Sequence, residues 1–341
     1  MESVVRQLTG FLEEESGEGR KPVYMRFFLS DAQNQAAALK DRLGSCGEKI
    51  SIVEQPPLDG SRISALVRTS DDAGRYLFHS LRLTEEEAAG KDSYAQTRLL
   101  FGKYLDIIRP MGLELKTHCI RTWIYVRDID SNYAGVVKAR NDVFAEEGLS
   151  HDTHYIASTG IGGASEVRSA VVSMDFLTEP GICEADKTYL KALSHLSPTH
   201  DYGVAFERGV KVGGVTPAGS HIYISGTASI DNRGRILHEG DVLSQTDRLL
   251  ENIGALLSEG GGDAVGCENY SGAGVEVMSV PYFVVYLRDI SDYAKIDAYM
   301  QARFPGVSRI ILEARVCRPG WLIEMECEVP CPKSPETGTE R

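Results

Sequence analysis

Along this chain, apolar and polar positions follow two rhythms, one of period two and one near 3.6, and the switches between them mark strands and helices. PVYMRFFLS over 22–30 has strand composition. DAQNQAAALKDRLG over 31–44 reads as a helix ended by glycine, and KISIVEQPPLDG over 49–60 as a strand running into a turn. Residues 61–67 and 75–83 are further strand candidates. A helix is predicted from Asp92 to Met111: Asp92 caps it, and Tyr94, Leu99, Leu100, Tyr104, Leu105 and Ile108 return at helical spacing before Pro110 and Gly112. A strand over 120–130 and a helix over 132–147 follow.

The same order then restarts. HIYISGTASID (221–231) is a strand with a glycine break, 241–261 a helix, PYFVVYLRDIS (281–291) a strand and 292–304 a helix. The repeat is visible in letters too. Asp92-Ser-Tyr-Ala-Gln96-Thr97 matches Asp241-Val-Leu-Ser-Gln245-Thr246, and Tyr125-Val-Arg127-Asp128-Ile129 matches Tyr286-Leu-Arg288-Asp289-Ile290. Two homologous α+β domains are therefore expected, at 21–180 and 201–330. A flexible or briefly helical N-terminus (1–20), a linker (181–200) and a disordered tail (331–341) complete the expected layout.

The chain closes on VCRPGWLIEMECEV, residues 316–329, a Pro-Gly break followed by an alternating strand. Ile323, Met325, Cys327 and Val329 share one face, while Glu324, Glu326 and Glu328 share the other at a spacing of about 7 Å. Three same-face carboxylates repel one another and need compensation, from water at a sheet edge or from cations such as the nearby Arg309, Arg315 and Arg318. Extending the repeat sets Val172-Ser173-Met174-Asp175 against Ile323-Glu324-Met325-Glu326, so one copy carries serine where the other carries Glu324. That difference points to a single working site in the C-terminal copy.

Composition narrows the classes. With 341 residues, 42% hydrophobic and 25% charged, the chain has the make-up of a soluble globular protein with room for two domains. A net charge of -13 argues against nucleic-acid binding, though a local arginine pocket still suits a small anion. No membrane-spanning run or signal layout is present, which predicts a cytoplasmic location. Seven cysteines form no C-x-x-C pair, and eight histidines give no metal spacing, so neither a metal nor a cofactor is expected.

The C-terminal half, from Tyr223-Ile-Ser-Gly-Thr-Ala-Ser229 through Val284-Val-Tyr-Leu-Arg-Asp289 to Leu322-Ile-Glu-Met-Glu326, resembles the Rid (YjgF-like, endoribonuclease L-PSP) superfamily. Through the repeat, the N-terminal half resembles it more weakly. The resemblance implies two chorismate-mutase-like domains, each a mixed sheet backed by two helices, in a homotrimer or pseudo-trimer with small-molecule clefts between subunits. Well-known Rid members deaminate enamines and imines derived from amino acids, and the resemblance places Glu324 at their acidic position. Their Phe-Pro-x-Arg motif is displaced here, because Phe304-Pro305 is followed by Gly306, Val307 and Ser308 before Arg309. A narrower resemblance is to the chorismatases, two-domain Rid-like chains that split chorismate to pyruvate and a cyclic acid. It rests on Tyr202-Gly203-x-x-Phe206-x-Arg208, Ser225-Gly-Thr-Ala-Ser-Ile230, Thr159-Gly-Ile-Gly162, Gln245, and Cys317-Arg318-x-x-x-Leu322-Ile323-Glu324. The stretch from Ala139-Arg140-Asn141-Asp142 to Ser158 follows that pattern poorly.

Enol-ether and enamine cleavage share a first step. A proton goes to a methylene carbon, and water attacks the resulting oxocarbenium or iminium ion. Glu324 suits that delivery once Glu326 and Glu328 raise its pKa. Arginines anchor carboxylates best, so Arg208, Arg318 and Arg309 are the candidate anchors for a small carboxylate metabolite, with Tyr202 and Gln245 as hydrogen-bonding groups. Cys317 lines the pocket, adds as a nucleophile, or simply packs. Arg318 also reads as a partner of the carbonyls at the Pro319-Gly320 turn, and Gln245, whose counterpart Gln96 sits in the copy without the glutamate, as a helix buttress. The Arg127-Asp128 and Arg288-Asp289 pairs read as structural or interface ion pairs. Three function classes follow: a chorismatase-like hydrolase, a Rid-type enamine or imine deaminase, and a non-catalytic metabolite binder.

Overall fold

The computed structural model describes residues 1–44, 49–213, 220–258 and 280–331. The chain opens with α1 (Glu2–Gly17), β1 (Lys21–Leu29), α2 (Ala32–Leu43), β2 (Ile50–Glu54) and β3 (Ile63–Ser70). A second group follows: β4 (Leu77–Leu81), the one-turn α3 (Glu85–Ala88), α4 (Ser93–Ile108), the one-turn α5 (Leu115–His118), β5 (Cys119–Val126), α6 (Ile129–Glu146), β6 (Ala157–Gly162) and β7 (Val172–Thr178). After β8 (Lys187–Leu190) and β9 (Gly209–Val212) comes the third: β10 (Ser220–Ala228), α7 (Val242–Ser258), β11 (Tyr282–Leu287), α8 (Tyr293–Arg303), β12 (Ser308–Glu313) and β13 (Ile323–Cys331). The class is α+β, as expected.

The internal repeat is a repeat of topology. One sheet runs β4-β7-β5-β6 and another β12-β11-β13-β10-β9-β8, so each holds a parallel pair, β5 with β6 and β11 with β12, flanked by an antiparallel strand. Tyr125 pairs with Ser173 as Tyr286 pairs with Glu324, the register that the letter-by-letter alignment requires. Capping repeats as well: the Asp92 carboxylate accepts the Ala95 N–H at 2.8 Å, and that of Asp241 accepts the Leu243 N–H at 3.1 Å.

Three features depart from the sequence expectation. The interval 21–180 carries two sheets, because β2-β1-β3 forms its own three-stranded layer with the same parallel-plus-antiparallel pattern. The described residues thus hold three strand–helix–strand–strand units. The interval read as a linker supplies β8, which pairs with β9 and completes the six-stranded sheet. The N-terminus takes the helical of its two expected alternatives, forming α1, held because Leu8 buries against Met25, Phe27 and Leu39. Of the expected tail, Cys331 ends β13 and is buried, and 332–341 lie outside the described residues, as do Cys46 and Cys267.

The inner faces of all three sheets meet in one core around Tyr24, Trp123, Tyr223 and Tyr286. Arg26 is 1% exposed inside it, an unusual cost that the site explains. No described helix is long and apolar enough to cross a membrane.

Candidate functional site

β13 lies between β11 and β10, so its polar face points inward, and Glu324, Glu326 and Glu328 are 4%, 3% and 3% exposed. The solvated-edge alternative is therefore excluded. Cations compensate, and they come from the N-terminal half rather than from the neighbouring arginines.

Glu328 accepts hydrogen bonds from the Tyr24 hydroxyl at 2.6 Å and His221 Nε2 at 3.1 Å, with Arg68 Nη1 at 3.6 Å. Burial alone would raise its pKa, but the His221 bond and the Arg68 charge outweigh burial and hold it near 2. Glu326 takes Arg26 Nη1 at 2.7 Å, Arg121 Nη2 at 3.0 Å, the Trp123 indole N–H at 3.0 Å and the Thr159 hydroxyl at 2.5 Å. Burial again opposes ionisation, and the two guanidinium groups win, so this carboxyl sits below its ordinary range. Glu324 has no such partner. Burial pushes its pKa up to about 8, the adjacent Glu326 charge adds to that, and only Arg208 pulls the other way. One of three look-alike glutamates thus stays protonated at neutral pH, and its neighbour helps to keep it so. The expectation that Glu328 shares this work is not met: it is tied up at the far end of the strand.

Local backbone geometry exposes Glu324 to a cavity. β10 shifts register against β13 between Ile224 and Thr227, bulging out Ser225 and Gly226. A Cβ on Gly226 would overlap Glu324 Oε1, so the missing side chain makes the room the carboxyl occupies. The Gly226 N–H donates to Thr159 Oγ1 at 3.0 Å, tying the bulge to β6 and to the Glu326 cluster. Around this point Tyr133, Arg140, Ser158, Gly160, Tyr202, Phe206, Arg208, Cys317, Arg318 and Trp321 join Glu324 in lining a pocket between the two halves of the chain.

Three arginines face this pocket. Arg208 is buried, donates through Nη2 to the Ser197 carbonyl at 3.0 Å, and leaves Nε without a partner. Burial depresses its pKa. Arg140, on α6, is 1% exposed and leaves both Nε and Nη2 without partners. Arg318 bonds the Gly234 carbonyl at 3.2 Å, not its own turn, and stacks 4.6 Å from the Tyr202 ring centre and 4.9 Å from that of Trp321. Buried guanidinium N–H groups without acceptors are costly, and a carboxylate is the acceptor that fits their planar donors.

Five of the seven singled-out residues converge here: Glu324, Arg208, Arg318, Tyr202 and Cys317. Burial first, and Glu324 second, lift the Cys317 thiol to about 12, so it lines the pocket as a thiol and the nucleophile alternative loses its thiolate. The other two do not converge. Gln245 donates to the His238 and Gly320 carbonyls and accepts the Leu322 N–H at 2.8 Å, while Gln96 spans the Ser169 carbonyl and the Val171 N–H in the same manner. Both are buried loop clamps. Arg309 pairs with Asp297 at 2.7 Å on the outer strand β12, away from Glu324. The Arg-Asp expectation also fails in detail: Arg288 pairs with Asp130 and bonds the Arg318 and Trp321 carbonyls, and Arg127 bonds the Ser165, Val167 and Ala170 carbonyls. Both arginines pin loops.

Arg140 and Tyr133 were missed. Arg140 had a legible signal, since it interrupts the apolar stripe Val136, Ala139, Val143, Phe144 on the buried face of α6. Tyr133 packs its ring where Gly160 leaves space, a contact between distant segments with no mark in the sequence.

Comparison with known proteins agrees with this architecture. Residues 210–330 match the family model described as endoribonuclease L-PSP. A RutC family protein of Pyrococcus abyssi is 31% identical over 110 residues, which is 32% of this chain and 76% of that protein. The chain belongs to the Rid (YjgF-like, endoribonuclease L-PSP) superfamily. Another Rid relative, the 3-aminoacrylate deaminase RutC of Acinetobacter baylyi, is 29% identical over 112 residues, 32% of this chain and 79% of that protein. Over nearly the full length, the chain shares its fold with a chorismatase crystal structure: 22% identity, a TM-score of 0.65, and coverage of 90% of this chain and 92% of that one. The family-model match covers the C-terminal copy, while the chorismatase fold spans both halves of the chain.

Proposed function

We propose that this protein is a chorismatase-like hydrolase that cleaves the enol ether of a cyclic carboxylate. The observation that carries the reading is Glu324, a buried carboxyl with a pKa near 8, facing a pocket that also holds Arg140, Arg208 and Arg318. A carboxyl still protonated at pH 7 is a general acid. It delivers its proton to the enol methylene carbon, and the resulting carboxylate stabilises the oxocarbenium ion. Water adds to that ion, and collapse of the hemiketal breaks the carbon–oxygen bond to release pyruvate and the cyclic acid. Arg140 and Arg208 offer unpartnered N–H groups to a substrate carboxylate, and Arg318 closes the wall beside them. Three strand–helix–strand–strand units in one chain support a pseudo-trimer within a single molecule. Incubating the purified protein with chorismate and measuring pyruvate tests the proposal: release above buffer that disappears in Glu324→Gln supports it, and no release sinks it.

Enamine or imine deamination is the second reading, favoured by the relative named 3-aminoacrylate deaminase. It uses the same acid, and it predicts ammonia release from amino-acid-derived imines in place of pyruvate release. Metabolite binding without turnover, lost in Arg208→Ala, would identify the third class.

A further inference from the structure

Phe206 and Arg208 form a wall with two sides. On the far side from Glu324 lies a second cavity of about 140 Å³, several times the space one water needs. Its polar lining includes Lys191, His151, His200, Ser197, Glu207 and Arg208. Two features indicate a built site. The Ser197 hydroxyl, on a residue 3% exposed, has no hydrogen-bond partner, and neither has Arg208 Nε, on a residue 5% exposed. Buried donors of this kind are rarely left orphaned without a ligand or water to receive them.

We propose that this cavity is a second anion site, shaped for a small monocarboxylate of the size of acetate or pyruvate. A hydroxyl and a guanidinium N–H suit the two oxygens of one carboxylate. The charge balance favours a monoanion. The basic side chains of the lining, Lys191 and Arg208, outnumber its one carboxyl, Glu207, whose Oε1 is already occupied by the Tyr155 N–H at 2.8 Å. His151 and His200 stand at the rim, each beside an aspartate, Asp152 at 3.2 Å and Asp201 at 3.4 Å. Because Arg208 lines both cavities, an anion here competes with the Glu324 pocket for the same guanidinium. The small acid that enol-ether cleavage releases has the right charge and size, although the site itself rests on its own lining and not on that reading.

The test is titration of the full-length protein with acetate and with pyruvate, followed by calorimetry and ligand-observed NMR, with inorganic phosphate as a parallel arm. Saturable binding is expected, weakened about tenfold in Lys191→Met and in Ser197→Ala, the loss of one charge-assisted or one neutral donor, and retained in Glu324→Gln. Lys191 is exposed, so its variant tests the site without disturbing the fold. No saturation up to about 50 mM, parent-like affinity in either site variant, or binding of phosphate without the carboxylates overturns the proposal. Since no turnover is measured, failure of the chorismate assay leaves this result readable.

Discussion

The pKa of Glu324 has a consequence for stability that needs no substrate. In the unfolded chain this carboxyl titrates near 4.5, and in the folded protein near 8. Between those values the folded state holds a proton that the unfolded state has lost, so stability falls as pH rises from about 4.5 and levels off above about 8. At about 1.4 kcal/mol for each pH unit between the two values, the full loss approaches 5 kcal/mol, a ceiling because relaxation around the charged form softens it. Glu324→Gln is neutral at every pH and keeps the shape, so the variant escapes this loss. The ionised pairs at Glu326 and Glu328 are common to both proteins and cancel in the comparison. Urea unfolding of parent and variant from pH 5 to pH 9 therefore gives a stability difference that grows in favour of the glutamine variant as pH rises, by several kcal/mol in all. A difference that stays flat across that range, or grows in the opposite direction, would refute the argument that burial and Glu326 keep Glu324 protonated.

Other outcomes follow from the same geometry. With an active substrate, kcat/KM falls as pH rises through about 8 as Glu324 loses its proton, and a pH–rate profile checks it. Gly226→Ala drives a methyl into the Glu324 carboxyl, so turnover drops about a hundredfold, the scale of a displaced catalytic group, while circular dichroism stays native-like. Glu326→Gln leaves Arg26 and Arg121 buried without a counter-charge and costs about 3–5 kcal/mol in denaturant unfolding; it also removes the charge that raises Glu324, so the descending limb of the rate profile moves to lower pH. Arg309→Ala leaves pyruvate release within about twofold of the parent, since this outer-strand side chain serves Asp297 on α8, and a large loss measured in that assay would move the site to the other side of the sheet.

How much of this could be read beforehand varied with the range of the interaction involved. The alternation of 316–329 put three glutamates on one face, and the comparison with Ser173 picked out Glu324 before any contact was known, since strand periodicity and an internal repeat are local facts. The caps at Asp92 and Asp241 were equally legible. Arg309 misled because sequence proximity to Glu324 says nothing about which side of a six-stranded sheet a residue occupies. Gln245 stood between a ligand contact and a structural buttress, and its recurrence as Gln96 in the copy without the glutamate pointed to the structural role, a loop clamp.

By itself, then, the sequence determined the elements, the repeat and the residue types at the centre, all of which rest on periodicities a few residues long. Only the tertiary structure decided what the three glutamates are. Glu326 is a carboxylate because Arg26 and Arg121 arrive from some 300 and 205 positions away, and Glu328 because Arg68, Tyr24 and His221 surround it. Glu324 keeps its proton because the chain brings it burial and a charged neighbour but no cation close enough to ionise it. Charge state depends on what lies within a few ångströms, and in this protein those neighbours are set by how three sheets meet.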